Sequence, residues 1–170
     1  QKTIAIANEE YGKAVNAFID GNADLAAIDF QSIVDNYSGQ PSALNAAIYL
    51  AQIGIKDKNY GEAEENIDKI IKNSDNPQIL SSMWALKGNI AYAQGEFENC
   101  QKFYENAIKT QPLSAFADEY KVTLAKLYVD QSEFEKAKKL LDDILDNDEL
   151  RFNIKNDAED LLAEVSYLLR

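Results

Sequence analysis

One interval, 37 residues, runs through the chain and limits what it can fold into. Small residues recur at Ala14, Ala51, Gly88 and Ala125, and again at Ala26, Ala63, Cys100 and Ala137. Between these columns lie Ala23, Tyr60, Phe97 and Phe134. Larger apolar residues follow at Phe30, Ile67, Tyr104 and Leu141, then at Ile33, Ile70, Ala107 and Ile144, where one small residue intrudes. Five columns keep one spacing through four copies without an insertion. Self-similarity at such a period marks stacked supersecondary units, each burying its apolar face against the next.

Each copy reads as two helices. In the third, Met83 to Tyr92 places apolar and small residues at helical spacing, Gly95 supplies a turn, and Phe97, Cys100, Tyr104, Ala107 and Ile108 mark a second amphipathic helix. The fourth repeats this with Leu124, Ala125, Leu127 and Tyr128, a break at Gln131-Ser132, then Phe134, Ala137, Leu140, Leu141 and Ile144. Seven glycines and three prolines in 170 residues suit long helices better than a turn-rich sheet. Ser132-Glu133-Phe134-Glu135 reads as a capping box with Ser132 as N-cap, Asn59-Tyr60-Gly61-Glu62 as a near relative, and Asn76-Pro77 as an N-cap followed by first-turn proline. Gly21 and Gly95 fall in turns inside repeats and Gly39 between repeats. Gly12, Gly54 and Gly88 fall inside first helices, where each forfeits about 1 kcal/mol of helix propensity relative to alanine. Close helix crossing is the expected compensation at all three.

From about residue 153 the register continues with Ala158, Leu161, Leu162 and Val165, and Ala47, Trp84, Lys121 and Ala158 are again 37 apart. This predicts an unpaired closing helix over about 153–170, after repeats at about 7–40, 44–77, 81–114 and 118–151, in a single all-α domain spanning 1–170.

Charge excludes whole partner classes. The formal net charge is −12, and Arg151 and Arg170 are the two arginines against 29 acidic residues. Nucleic-acid binding draws its affinity from a basic stripe that neutralises phosphates, so no nucleic-acid partner is expected. An anionic lipid surface would repel the chain similarly. No apolar run approaches the roughly 18 residues of a membrane span, and no direct membrane contact is expected from this segment. The start at Gln1 rather than Met leaves room for a removed signal or anchor upstream.

The absence of histidine removes the commonest general base and nearly every zinc site, and no phosphate loop or nucleophile elbow is present. No catalytic residue, cofactor or metal is expected. Cys100 substitutes for a small core residue and reads as a buried packing thiol. Acidic runs at Glu62, Glu64, Glu65 and Asp68, and at Asp142, Asp143, Asp146, Asp148 and Glu149, have no EF-hand spacing and read as a solvated face rather than a calcium site.

The columns resemble the tetratricopeptide repeat. Trp84, Gly88, Gly95, Phe97, Tyr104, Ala107 and Pro112 stand at the family's spacing, while Lys87, Cys100 and Ala91 depart from its preferred Leu, Ala and aromatic residue. The fourth copy adds Leu124, Ala125, Tyr128, Phe134 and Ala137; the second contributes Ala51, Tyr60 and Ala63. The resemblance implies a right-handed superhelical solenoid whose first helices line a concave groove and whose second helices form the convex back. The period exceeds the family's usual repeat of about 34 residues, with Asn36 to Pro41 and Thr110 to Leu113 in the extra space. Longer repeats of this kind resemble bacterial envelope families: the Tol–Pal-associated coordinators, the outer-membrane assembly lipoproteins and the translocon-associated anchored proteins. A periplasmic or periplasm-facing location is therefore expected, with a cytoplasmic one as the alternative.

The family's groove positions fall here on Asn8, Tyr11, Val15 and Phe18, on Asn45, Ile48, Gln52 and Ile55, on Ser82, Ala85, Asn89 and Tyr92, and on Glu119, Val122, Lys126 and Val129. The implied function is a non-catalytic scaffold that binds an apolar segment of a protein or peptide partner in this groove. A competing reading packs Tyr11 and Phe18 against neighbouring helices. Lys126 is the one cation on this surface, which argues against a clamp for a two-carboxylate chaperone tail. The alternative function is a homo-oligomeric scaffold assembled through the first helix or through Tyr167 and Leu168.

Overall fold

The computed structural model describes residues 2–37 and 40–170; the expectation for Gly39 and the middle of its linker lies outside the described residues. Described residues form helices and turns, with no strand among them. The chain divides into two compact units, Gln1–Asn76 and Pro77–Arg170. The first contains α1 (Lys2–Ile19), α2 (Ala23–Asn36), α3 (Pro41–Lys56) and α4 (Tyr60–Asn73). The second contains α5 (Pro77–Gln94), α6 (Phe97–Thr110), α7 (Ala115–Asp130), α8 (Phe134–Leu145) and α9 (Phe152–Leu168). Two repeats thus fall in each unit, and the closing helix lies in the second. First helices begin three to four residues before the expected 44, 81 and 118, because Pro41 and Pro77 take the first helical position and Ser114 caps α7.

Four of the five columns of the interval are core. Ala14, Ala51 and Ala125 have no exposed surface and Gly88 is buried; Ala26, Ala63, Cys100 and Ala137 are buried, as are Phe30, Ile67, Tyr104 and Leu141, and Ile33, Ile70, Ala107 and Ile144. The fifth, headed by Ala23, supplies the first residue of each second helix and is less deeply buried: Ala23, Tyr60 and Phe134 are half-buried and Phe97 is exposed. Each large aliphatic or aromatic member contributes about 1.5–3 kcal/mol by leaving water. Small residues set the distance between helices. A methyl group on Gly54 would stand 3.0 Å from Cβ of Ala63 and 3.2 Å from backbone atoms of α4 and its cap. On Gly88 it would stand 2.8 Å from the Tyr104 ring. Gly12 departs from expectation: nothing lies within 4 Å of its missing Cβ, so no crossing helix explains it.

One turn recurs with the period. Gly21, Lys58, Gly95 and Ser132, each 37 residues from the next, all adopt left-handed backbone, with φ of +85°, +60°, +76° and +58°. Each closes a Schellman motif. The N–H groups of Gly21, Lys58, Gly95 and Ser132 donate to the carbonyls of Phe18, Ile55, Tyr92 and Val129. The next N–H groups, of Asn22, Asn59, Glu96 and Glu133, donate to Ala17, Gly54, Ala91 and Tyr128 at 2.7–2.9 Å. Those same residues then cap the second helices, and their carbonyls accept from the N–H groups of Ala26, Ala63, Cys100 and Ala137.

The geometry corrects two capping expectations. Ser132 is the left-handed turn residue and Glu133 the N-cap of α8, so no Ser132 capping box forms. Asn59 does cap α4, but its amide donates to the Glu62 carboxylate instead of accepting from the backbone.

Unit 1 centres on Ala14, Ala26, Phe30, Ile33, Ala43, Ala46 and Leu50. In unit 2, residues of α5 to α9 share one apolar cluster, with Ile154, Ala158, Leu161 and Val165 of α9 covering α7 and α8. Arg151 ties the start of α9 to α7, donating to the Ala115 carbonyl at 3.0 Å and pairing with Glu119. Among the described residues no helix is long and apolar enough to cross a membrane.

Candidate functional site

In unit 1 the expected groove residues divide by burial. Asn8, Asn45 and Gln52 are exposed, while Tyr11, Val15, Phe18, Ile48 and Ile55 are half-buried. Tyr11 and Phe18 belong to an aromatic cluster organised by Tyr49. The Tyr49 ring stacks on Phe30 at 4.8 Å and 13°, meets Phe18 edge-on at 5.2 Å, and lies 6.2 Å from Tyr11. Burial, with Tyr49 beside it, pushes the Tyr11 phenol above its ordinary pKa. These rings join α1, α2 and α3, and such contacts stabilise by about 0.5–1.5 kcal/mol each beyond area burial. Tyr49 follows Ile48 directly, one position outside the groove column.

In unit 2 the structure brings Asn89, Tyr92 and Lys126 together. They line a cleft of about 200 Å³ with Thr123 and Leu127, over a floor containing Cys100 and Tyr104. α5 supplies Asn89 and Tyr92, α7 supplies Thr123, Lys126 and Leu127, and α6 lies beneath. Helical spacing explains the grouping: positions 89 and 92, and 123, 126 and 127, are three or four residues apart and share a face. Five expected members do not line it, two of them because they are buried. Ala85 is 5% exposed and Val122 3%, both in the unit's apolar cluster, because their column turns inward toward neighbouring helices. Ser82 and Glu119 are half-buried and engaged elsewhere, Ser82 with the Gln78 carbonyl at 3.0 Å and Glu119 with Arg151. Val129 is half-buried and does not line the cleft.

The polar groups are arranged by Asp130, which sequence reasoning had not singled out, and by Tyr104, which it had placed in a core column. The Tyr92 hydroxyl donates to Asp130 at 2.9 Å, bridging α5 to α7, and that bond raises the Tyr92 pKa. The Tyr104 hydroxyl, at the cleft floor, donates to the Asn89 side-chain oxygen, which leaves the Asn89 amide N–H₂ free to donate outward. Lys126 is exposed and makes no ion pair among the described residues. Periodicity offered no signal for Asp130 or Thr123, since neither occupies a repeating column.

Chemically the cleft presents an amide donor, an ammonium group and the three hydroxyls of Tyr92, Tyr104 and Thr123. Burial pushes the Cys100 thiol up to about 11 and raises the Tyr104 phenol well above its usual value, so both stay protonated near neutrality. A thiol held in that state is a packing group and a poor nucleophile. The cleft falls below the roughly 300–1,000 Å³ of small-molecule pockets and suits one side chain or a stretch of peptide backbone.

Residues 81–112, covering most of α5 and α6, match the family model for the tetratricopeptide repeat. No curated protein sequence matches the chain. Solved structures similar in fold include Pseudomonas aeruginosa PilF, with TM-score 0.71 and 15% identity over 98% of this chain and 72% of that one. A tetratricopeptide repeat protein from Parabacteroides merdae gives 0.71 and 17%, over 96% and 65%. MamA from Desulfovibrio magneticus gives 0.66 and 14%, over 82% and 74%. Identities this low speak to fold alone, and the fold they share is the helix-pair repeat described above. Residues 81–112 thus match one tetratricopeptide repeat, and the chain as a whole shares the helix-pair fold of these structures.

Proposed function

We propose that the chain is a non-catalytic interaction scaffold that holds an apolar segment of a partner protein on the faces of its first helices. The observation that carries the reading is the open α5–α7 cleft, where Asn89, Tyr92 and Lys126 converge over a neutral floor. An apolar side chain can enter against Tyr92 and Leu127, while the Asn89 amide and Lys126 ammonium take carbonyls of the same segment. Exposed donors above an apolar floor are how shallow grooves fix peptide register. In unit 1 the exposed Asn8, Asn45 and Gln52 offer further backbone donors and acceptors beside half-buried Ile48 and Ile55.

Site-specific photocrosslinking in the native host tests this. A crosslinker at Asn89 or Lys126 is expected to trap a defined partner segment, and Tyr92→Ala with Lys126→Glu to abolish the product while helicity stays intact. Equal crosslinking in that variant would reject the cleft. Tyr92, 49% exposed, is a better probe than Tyr11, whose removal would also break the Tyr49 cluster.

The partner process is proposed to lie in a bacterial cell envelope, with the protein periplasmic or facing the periplasm. The long repeat period and its resemblance to envelope families support that reading. Fractionation of host cells tests it, and recovery solely with cytoplasmic markers would reject it.

A second reading, self-association, draws on the end of α9, where Tyr167, Leu168 and Leu169 are 74%, 44% and 36% exposed. Light scattering over a concentration series decides it: a constant monomer mass removes it.

A further inference from the structure

Unit 2 has a second and larger opening on another side of α7. It measures about 550 Å³ and lies between α6 and α8, with α7 as its base. Its α7 residues, Lys121, Leu124 and Tyr128, occupy a face roughly opposite that of Thr123, Lys126 and Leu127 in the first cleft. The two openings are therefore separate and can be filled independently.

Ile108, Leu124, Tyr128 and Leu140 give this trough an apolar lining. The edges are basic. Lys109, Lys121, Lys136 and Lys139 line it, against Glu105 and Asp143, in a chain whose net charge is −12. Lys121 and Lys136 are paired with Asp118 at 3.4 Å and Glu133 at 2.7 Å. Lys136 also lies 5.5 Å from the centre of the Tyr128 ring. Lys109 and Lys139, exposed on facing helices, make no ion pair among the described residues, although Glu105 and Asp143 stand one turn away. Two cations thus face each other across apolar ground without a partner.

We propose that this trough docks an acidic amphipathic helix of a partner protein. The lining runs from Glu105 to Lys109 on α6, from Lys121 to Tyr128 on α7 and from Lys136 to Asp143 on α8, about 10 Å or two helical turns. A two-turn helical stripe laid along the trough buries its apolar side chains against that lining. Carboxylates flanking that stripe then meet Lys109 on one wall and Lys139 on the other. Charge complementarity of this kind sets orientation and rejects basic partners, which the remainder of an acidic surface would otherwise attract.

The probe is a synthetic helical peptide with leucines at i, i+3, i+4 and i+7 and glutamates on its remaining faces, titrated into the whole chain and followed by backbone amide NMR. Shifts are expected on α6 and α8 around Lys109, Tyr128 and Lys139. Lys109→Glu with Lys139→Glu, both surface changes that leave the core intact, should weaken binding at least about tenfold. The same peptide with lysines for glutamates should not bind. No shifts at these residues, equal binding of the lysine peptide, or indifference to the charge reversals would each overturn the proposal. Concentration-dependent self-association abolished by those reversals would overturn it too, by assigning the trough to a second copy of the chain.

Discussion

The three glycines inside first helices offer a test in which one substitution changes sign with its surroundings. Alanine for glycine within a helix gains about 1 kcal/mol of propensity wherever the new methyl group has room. At Gly88 it has none: the methyl carbon would stand 2.8 and 2.9 Å from two carbons of the Tyr104 ring. Comfortable carbon contacts begin near 3.5 Å, so the ring must retreat about 0.7 Å. It has little freedom to do so. Tyr104 is 4% exposed, lies 6.2 Å from the Tyr120 ring and is tied through its hydroxyl to Asn89. Overpacking costs about 1–3 kcal/mol, so Gly88→Ala should destabilise by about 1 kcal/mol net. Gly12 has open space around its missing Cβ, and Gly12→Ala should stabilise by up to about 1 kcal/mol. In a chain of this size those values correspond to melting shifts of about 2–4 °C, downward and upward respectively. Far-UV circular dichroism follows the helices. Trp84, stacked on Phe103 at 5.9 Å, reports on unit 2 through its fluorescence. A Gly88→Ala protein whose Trp84 transition stays in place or rises would refute the close α5–α6 crossing, and a Gly12→Ala protein that melts earlier would refute the account of α1.

Three further outcomes follow from the geometry. Lys58→Gly and Ser132→Gly should each stabilise by about 0.5 kcal/mol, relief of left-handed strain outweighing the freedom glycine gives the unfolded chain, whereas Gly95→Ala should destabilise by about 1 kcal/mol; urea midpoints measure all three. Burial raises the Tyr104 phenol above its ordinary pKa of about 10, so the native state holds that proton more tightly than the unfolded one; its contribution is full below that pH and is lost as pH rises toward the folded value. Urea midpoints should therefore fall above about pH 10, and less steeply in Tyr104→Phe. Cys100, 1% exposed and with its thiol pushed up to about 11, should resist a thiol reagent at neutral pH in the native protein and react fully once denatured; fast native labelling would contradict its burial.

What the sequence disclosed depended on whether a residue's type carries its environment. Phe30, Ile67 and Leu141 are legible as core because leaving water is a property of the side chain itself, and repetition multiplies a weak signal. Gly88 and Gly54 are legible as close crossings for the same reason, yet Gly12 shows that a glycine records permission, not necessity. Lys58 and Ser132 were illegible by type, since neither favours a positive φ; their distance of 37 residues from Gly21 and Gly95 was the available signal. The same holds at the cleft. Asn89, Tyr92 and Lys126 could be grouped by register, but Tyr49 lies off that register and drew Tyr11 and Phe18 into a contact no column encodes. Ala85 and Val122 failed for the complementary reason: they hold the register, and the column they share points inward in unit 2.

Turn and cleft are joined through single residues. Phe18, Ile55, Tyr92 and Val129 are the column whose carbonyls accept the N–H of the left-handed residue, and the same column was assigned to the binding face. The backbone of Tyr92 is fixed by Gly95 at 3.0 Å, and its hydroxyl by Asp130 at 2.9 Å. Its ring is therefore held at both ends, by the turn into α6 and by the opposite wall on α7. A partner side chain entering beside that ring meets a surface already ordered, so the entropy of arranging it has been lost in folding and is not charged again on binding. On the proposed reading, that order is what would let a cleft of about 200 Å³ discriminate among segments despite its small area.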